Sequence, residues 1–411
     1  MSSPSSHTIL NNCNIVDVET GSIIRSAQIT IENGLIKKIT ESKTKVGGEV
    51  VDMGDEFVLP GLFNVHCHLS ARYPFNSQDP TEPAAMPAIR AYRRAYDALH
   101  AGITTLRSCG ELHRVDLPLR DMIRDEWLVG PRILAGGKGL GVTGGHGTSF
   151  YQVEADGADE FRKAARAELE YGADHIKIML TGGVAGITES LEEPQMTREE
   201  VEAVVSVAKS KRTYVAAHSG GSEPTIMAAE AGVRCFEHGY VLNRAAANAI
   251  KSVGGFLVPT LVVTRSEGWQ REQGDKEWVI EKSISAGPRH LESIKYAINE
   301  GVKLVTGTDH PPAALKEGVV DTVREMEWLH EVGLSPLEAI RSSTANASEL
   351  CGVNSFVGLV KERYVADLIA VPANPLEDLS AMRQIRFVLK DGKLMKSGGQ
   401  IVNHYSTPRS K

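Results

Sequence analysis

Val58-Leu-Pro-Gly-Leu-Phe-Asn-Val-His-Cys-His68 runs from an apolar stretch straight into two histidines one residue apart. In an extended chain, side chains i and i+2 share a face. His66 and His68 therefore present both imidazoles to one side, while Cys67 turns to the other and reads as buried packing. Two neutral imidazoles side by side suit a borderline divalent metal such as zinc. By itself the pair is weak, because this spacing also arises by chance.

The stretches downstream raise its weight. Short apolar runs recur at Ile103-Thr-Thr-Leu-Arg107, Arg132-Ile-Leu-Ala135, His175-Ile-Lys-Ile-Met179, Tyr214-Val-Ala-Ala-His218, Arg234-Cys-Phe-Glu-His238, Phe256-Leu-Val-Pro-Thr260 and Lys303-Leu-Val-Thr-Gly-Thr-Asp309. With the run ending at His66 they make eight strand candidates. Helical stretches lie between them, for example 159–171, 199–211 and 321–331, and Thr197 with Glu200 has capping-box spacing. Repeated strand–helix units imply parallel strands joined by right-handed crossovers. Eight of them predict a closed α/β (β/α)8 TIM barrel over residues 61–355, with its site where the strands end.

The polar residues fall at those ends. Lys177 sits inside an apolar run, where an unpaired ammonium is costly to bury. His218, His238 and Asp309 close three further strands. Singly, a snorkelling lysine, satisfied core histidines and a capping aspartate explain each one better. Their recurrence at one end of successive strands favours a site.

Both ends of the chain have a different texture. Ala27-Gln-Ile-Thr-Ile-Glu32, a turn at Asn33-Gly34 and Leu35-Ile-Lys-Lys-Ile39 read as a hairpin. Asp367 to Val371, then Ile385 to Lys390 with a turn at Asp391-Gly392, read likewise. Residues 1–60 and 356–411 are thus expected to assemble one small β-sandwich.

Composition bounds the rest. The 411 residues carry a formal net charge of −7, with 42% hydrophobic and 24% charged residues. Such a balance gives no electrostatic reason to expect nucleic acid or an anionic membrane as a partner. No apolar run reaches the length of a spanning helix. The start, Met1-Ser-Ser-Pro-Ser-Ser-His7, lacks the charge and apolar core of a secretory leader, and five scattered cysteines make no disulfide framework. A cytoplasmic location is the expectation.

The polar set resembles that of the amidohydrolase superfamily. Val58 to His68 is similar to the family's approach to its barrel, and Ala366-Asp-Leu368 with Asn374-Pro-Leu376 to its return to the sandwich. Where the family often has glycine, this chain has Arg363. The resemblance implies two divalent metal ions, most simply zinc, and N6-carboxylation of Lys177 to a bridging carbamate. One metal would take His66, His68, Asp309 and the carbamate, the other the carbamate, His218 and His238. It further implies hydrolysis by a metal-bridged hydroxide, with Asp309 as general base and then general acid.

Within the superfamily, the Gly144-Gly-His-Gly147 loop, Glu237-His-Gly-Tyr240 and Gly307-Thr-Asp-His310 resemble the branch of Xaa-Pro dipeptidases and ochratoxin A-hydrolysing amidohydrolases. That likeness implies substrate-holding roles for His146 and Tyr240. Ser70 and the Thr181-Gly-Gly-Val-Ala-Gly186 loop are expected to line the pocket, and Arg265 or His310 to receive a substrate carboxylate. The expected substrate is a dipeptide or N-acyl amino acid, and a homo-oligomer of two to eight copies is implied by resemblance alone. Three rivals stand beside this reading. A mononuclear deaminase typically lacks the lysine and has glutamate three residues after the strand-five histidine, where this chain has Gly221. A lactonase or phosphotriesterase shares the metal site. A catalytically inactive dihydropyrimidinase-like scaffold would have lost ligand positions that are intact here.

Overall fold

The eight predicted strands form in order, and their ladder directions are parallel throughout. In the computed structural model, which describes residues 7–41, 48–148 and 151–402, they are β1 (Leu62–Cys67), β2 (Ile103–Ser108), β3 (Arg132–Leu134), β4 (Ile176–Met179), β5 (Val215–Gly221), β6 (Cys235–Val241), β7 (Phe256–Val258) and β8 (Lys303–Leu304). The sequence reading of the first six residues lies outside the described residues. The third strand is split: Arg132–Leu134 pairs with β2, and Gly139–Gly141 supplies the contact to β4.

Closure depends on the chain beyond β8, which runs beside β1. Val65 N–H donates to Thr306 O at 3.0 Å, and the amides of Thr308 and Asp309 both donate to His66 O, at 2.9 and 2.7 Å. Gly307 permits this approach. A Cβ there would lie 2.7 Å from the His66 Cβ and 2.6 Å from Val258. The seam that brings Asp309 against His66 therefore requires the missing side chain.

Alternation explains the packing. Ile176 and Ile178 of β4 and Val215 and Ala217 of β5 pack outward with Val201, Val204 and Ala208 of the helix Arg198–Ser210. That helix starts at the expected capping box, Thr197 with Glu200. The inward positions Phe63, Val65, Ala216, Cys235, Phe256 and Val305 gather in a separate core with Ala347 and Leu350. Lys177 lies between outward Ile176 and Ile178, so alternation turns it inward.

Both chain ends contribute to a second, nine-stranded sheet, in which Phe57–Pro60 lies between His7–Val16 and Leu368–Val371. Its two faces are sorted by period two: Leu368 and Ala370 join Leu10, Ile29 and Phe387, whereas Ile369 and Val371 join the helices of the barrel. Asn33 and Gly34 have φ of 52° and 79°, and Asp391 and Gly392 of 49° and 73°, as two-residue hairpins demand. Arg363 has φ of 74°. A glycine would adopt this left-handed conformation without strain, whereas a residue with a side chain carries some. No helix among the described residues is long and apolar enough to cross a membrane.

Candidate metal centre and substrate cavity

A register slip in β1 between Asn64 and Cys67 sets up the centre. Val65 faces inward, and after the slip His66 and His68 do so as well, while Cys67 and Leu69 pack outward among the helices. His66 Nε2 and His68 Nε2 stand 3.2 and 3.1 Å from the same oxygen, Oδ1 of Asp309. These three ligand atoms lie within 4.8 Å of one another.

Their second nitrogens determine the tautomers. His66 Nδ1 is 2.7 Å from Glu237 Oε2, and His68 Nδ1 is 2.7 Å from the Gly110 carbonyl. A carbonyl only accepts, so His68 Nδ1 carries the hydrogen. The Glu237 carboxylate imposes the same on His66, since Arg107 and His66 outweigh burial and hold that carboxyl well below its usual range. Each Nε2 is then the nitrogen that faces Asp309 Oδ1, a donor when its ring is protonated and a lone pair when the ring is neutral and a cation is bound. With both rings neutral, three acceptors converging on one point is the arrangement a cation satisfies.

The remaining predicted ligands line the same cavity. Lys177 is 1% exposed and its Nζ has no hydrogen-bond partner. His238 donates or accepts at Nδ1 with Thr260 Oγ1, 2.7 Å away, and His218 Nε2 reaches the Gly182 carbonyl at 3.2 Å, which leaves Nδ1 as its lone-pair nitrogen. The two rings are 4.4 Å apart. Burial, reinforced by neighbouring cationic groups, pushes both imidazoles well below the ordinary histidine range, so both are neutral. Asp309 is also driven up by burial, but the surrounding imidazoles outweigh this and hold its carboxyl well down.

Two of these residues break strand alternation. His238 and Asp309 have φ of 68° and 60°. Non-glycine residues in that region cost roughly 1–3 kcal/mol and persist where surrounding structure holds them. At His238 the turn of the backbone lets two consecutive side chains, Glu237 and His238, serve the same centre. Glu237 itself is gripped by Arg107, whose Nη2 lies 2.6 Å from Oε1, with both side chains fully buried.

The cavity encloses about 280 Å³ and is walled by His66, His68, His146, Tyr151, Lys177, His218, His238, Tyr240, Asp309 and His310, with Phe75, Met179, Val184, Val263 and Val279 as apolar lining. His146 is oriented by Glu189, 2.6 Å from its Nδ1, and its ring lies 4.2 Å from that of His218. Tyr240 stacks on His238 at 5.0 Å with a buried hydroxyl that has no partner.

Two expectations fail. Ser70 is buried behind the wall, its hydroxyl donating to Glu111 Oε2, and it does not line the cavity. Arg265 points outward, paired with Glu331 at 2.9 Å and lying over Trp328, since the short helix Val262–Arg265 turns its last residue away from the cavity. Of the loop 181–186, only Val184, Ala185 and Gly186 reach the lining. Glu237, Arg107 and Glu189 were missed: a carboxylate or guanidinium in a strand or loop carries no spacing signal of its own.

Comparison with known proteins agrees with this geometry. Residues 57–395 match the model of the Amidohydrolase family. The chain is 30% identical to the ochratoxinase of Aspergillus niger over 381 residues, covering 83% of this chain and 76% of that one. Among solved structures it superposes on a Xaa-Pro dipeptidase with methionine bound in its active site, at TM-score 0.87 and 32% identity, covering 95% of this chain and all of that one. A prolidase complexed with N-methylphosphonate-L-proline gives 0.88 and 29%, with the same coverage. The chain thus belongs to the amidohydrolase family, in its dipeptidase-like branch, and is a metal-dependent hydrolase acting on C–N bonds.

Proposed function

We propose that this protein hydrolyses the amide or peptide bond of a dipeptide or N-acyl amino acid that carries a free carboxylate, ochratoxin A among the candidates. The carrying observation is the convergence of the His66, His68 and Asp309 acceptors beside a buried, unpartnered Lys177 Nζ. These residues fit the expected pair of ions. His66, His68 and Asp309 would hold one, His218 and His238 the other, with a carboxylated Lys177 shared between them. The donor set, rich in imidazole, suits zinc. Two such cations supply Lewis acidity and bring the ionisation of water towards neutral pH.

The chain's own residues do the rest. With Oδ1 of Asp309 facing His66 and His68, Oδ2 is the atom that accepts the proton of the attacking water and returns it to the leaving amine. The Tyr240 hydroxyl, buried without a partner, donates to the carbonyl oxygen as negative charge develops there. His146, oriented by Glu189, positions the acyl side. The cavity's apolar lining excludes bulk water. We further propose residues 1–60 and 356–411 as one composite domain that braces the barrel at 61–355.

The test compares metal-replete protein and its Lys177→Ala variant on a dipeptide library and on ochratoxin A. Release of phenylalanine from ochratoxin A, lost in the variant, is the expected result. Hydrolysis of dipeptides alone would keep the chemistry and change the substrate. Protein with two ions bound that cuts neither would overturn the C–N assignment.

A further inference from the structure

Behind the cavity wall stands a cation that the proposed reaction does not use. After β8 the chain makes a tight hairpin, in which Leu315–Lys316 pairs with Val319–Val320 across a turn at Glu317 and Gly318, with φ of 52° and 80°. Alternation in this hairpin turns Leu315 out to solvent, 60% exposed, and Lys316 in, 2% exposed. The Lys316 Nζ stands 3.0 Å from the centroid of the Trp269 ring and 3.0 Å from His310 Nδ1. Among the described residues it forms no ion pair.

The chemistry of that contact is one-directional. An ammonium has donors only, so His310 Nδ1 must accept, and the neutral ring carries its hydrogen on Nε2. His310 lines the cavity. The ring therefore offers an N–H donor, with a buried ammonium behind it, to a molecule in the site. Burial lowers the Lys316 ammonium to about 8 against the raising pull of Asp321, Asp275 and Glu272, so it stays largely charged near neutral pH. Asp321 is fully buried with neither oxygen hydrogen-bonded, and burial pushes its carboxyl up to about 7, so that much of it is protonated near neutral pH. Asp275 is tied to the Phe75 amide at 2.6 Å, and burial raises its carboxyl as well. No arginine lines the cavity among the described residues, and Arg265 is paired elsewhere.

We propose that Lys316, acting through His310 and seated on Trp269, forms the receptor for the substrate's α-carboxylate and so sets a preference for free acids over amides or esters at that end. The proposal rests on the amide-hydrolase reading for its substrate class. Lys316 is a positioning residue, since it reaches the substrate only through His310.

Calorimetry with N-benzyl-L-phenylalanine, whose methylene replaces the scissile carbonyl, and with its carboxamide tests the receptor without hydrolysis. Wild-type protein is expected to favour the acid by about tenfold to a hundredfold, the range of a hydrogen bond to a charged group. Lys316→Met, which keeps an apolar stem on Trp269, is expected to bring that ratio close to one. Lys316→Arg, which restores a cation, should recover part of it. Equal binding of acid and amide by wild type, an unchanged ratio in Lys316→Met, or no binding of either compound would each overturn the proposal. A preserved acid preference in protein that cleaves no amide would leave the receptor standing and remove only the catalytic reading.

Discussion

Glu237→Gln changes one oxygen to nitrogen inside a fully buried triad. Oε1 accepts from Arg107 Nη2 at 2.6 Å, and Oε2 meets His66 Nδ1 at 2.7 Å. Arg107 has only donors, so the amide oxygen of the variant must face it. The amide NH₂ then faces His66 Nδ1, which can no longer carry a hydrogen. The imidazole is driven to its other tautomer, with the hydrogen on Nε2, the atom that points at Asp309. A lone pair offered to a cation becomes a blocked donor. Loss of a partner of this kind typically weakens metal affinity about 10–100-fold, or roughly 1.4–2.7 kcal/mol. The neutral amide also leaves the Arg107 guanidinium uncompensated, and breaking such a pair costs about 3–5 kcal/mol of stability.

The two effects separate experimentally. Competition of the apoprotein with a chelator should give weaker zinc binding at one of two sites, and nitrogen NMR of His66 should show the hydrogen moved from Nδ1 to Nε2. Arg107→Met in the Glu237→Gln background should recover stability by removing the orphaned charge, and leave zinc binding weak. Zinc affinity within twofold of wild type in folded Glu237→Gln protein, or an unchanged tautomer, would refute the reasoning.

Further expectations follow from other single groups. In Tyr240→Phe, kcat should fall by about 10²–10³, the cost of an oxyanion donor, with KM little changed. Because that hydroxyl has no partner to lose, thermal unfolding should show no loss of stability. Asp321→Asn should stabilise the protein more at pH 8 than at pH 5. The folded carboxyl is raised from 3.8 to about 7, so its penalty is absent below the unfolded value and grows as pH rises towards 7. The difference between the two pH values is about 2.6 kcal/mol, read by denaturant melts.

The barrel was legible because its signal is periodic. Each strand is a short run in which apolar residues alternate or crowd, and the polar exceptions fall where a parallel barrel exposes its strand ends. His66, His68, Lys177, His218, His238 and Asp309 each interrupt such a run, so the same pattern marked both the fold and the lining of the site. The hairpin turns were equally local, each specified by two residues. Arg265 was misplaced for the opposite reason. It lies in a four-residue helix whose direction depends on the packing of Val262 and Val263, and no period is long enough to set its face.

What stayed hidden are contacts between residues far apart in the chain. Arg107, Glu237 and His66 meet across three strands, 130 and 171 positions separating Glu237 from its partners. Lys316 reads as an exposed lysine before a Glu-Gly turn until the hairpin folds it against Trp269. A buried charge near a catalytic centre is expensive, and the cost is visible only once the fold shows how little solvates it. On the proposed reading, the six strand-end residues supply the metal-assisted hydrolysis and leave the choice of substrate open. Discrimination between substrates is proposed to come from loop-held groups such as Glu189, which lines the cavity beside His146, and Lys316, which stands behind His310.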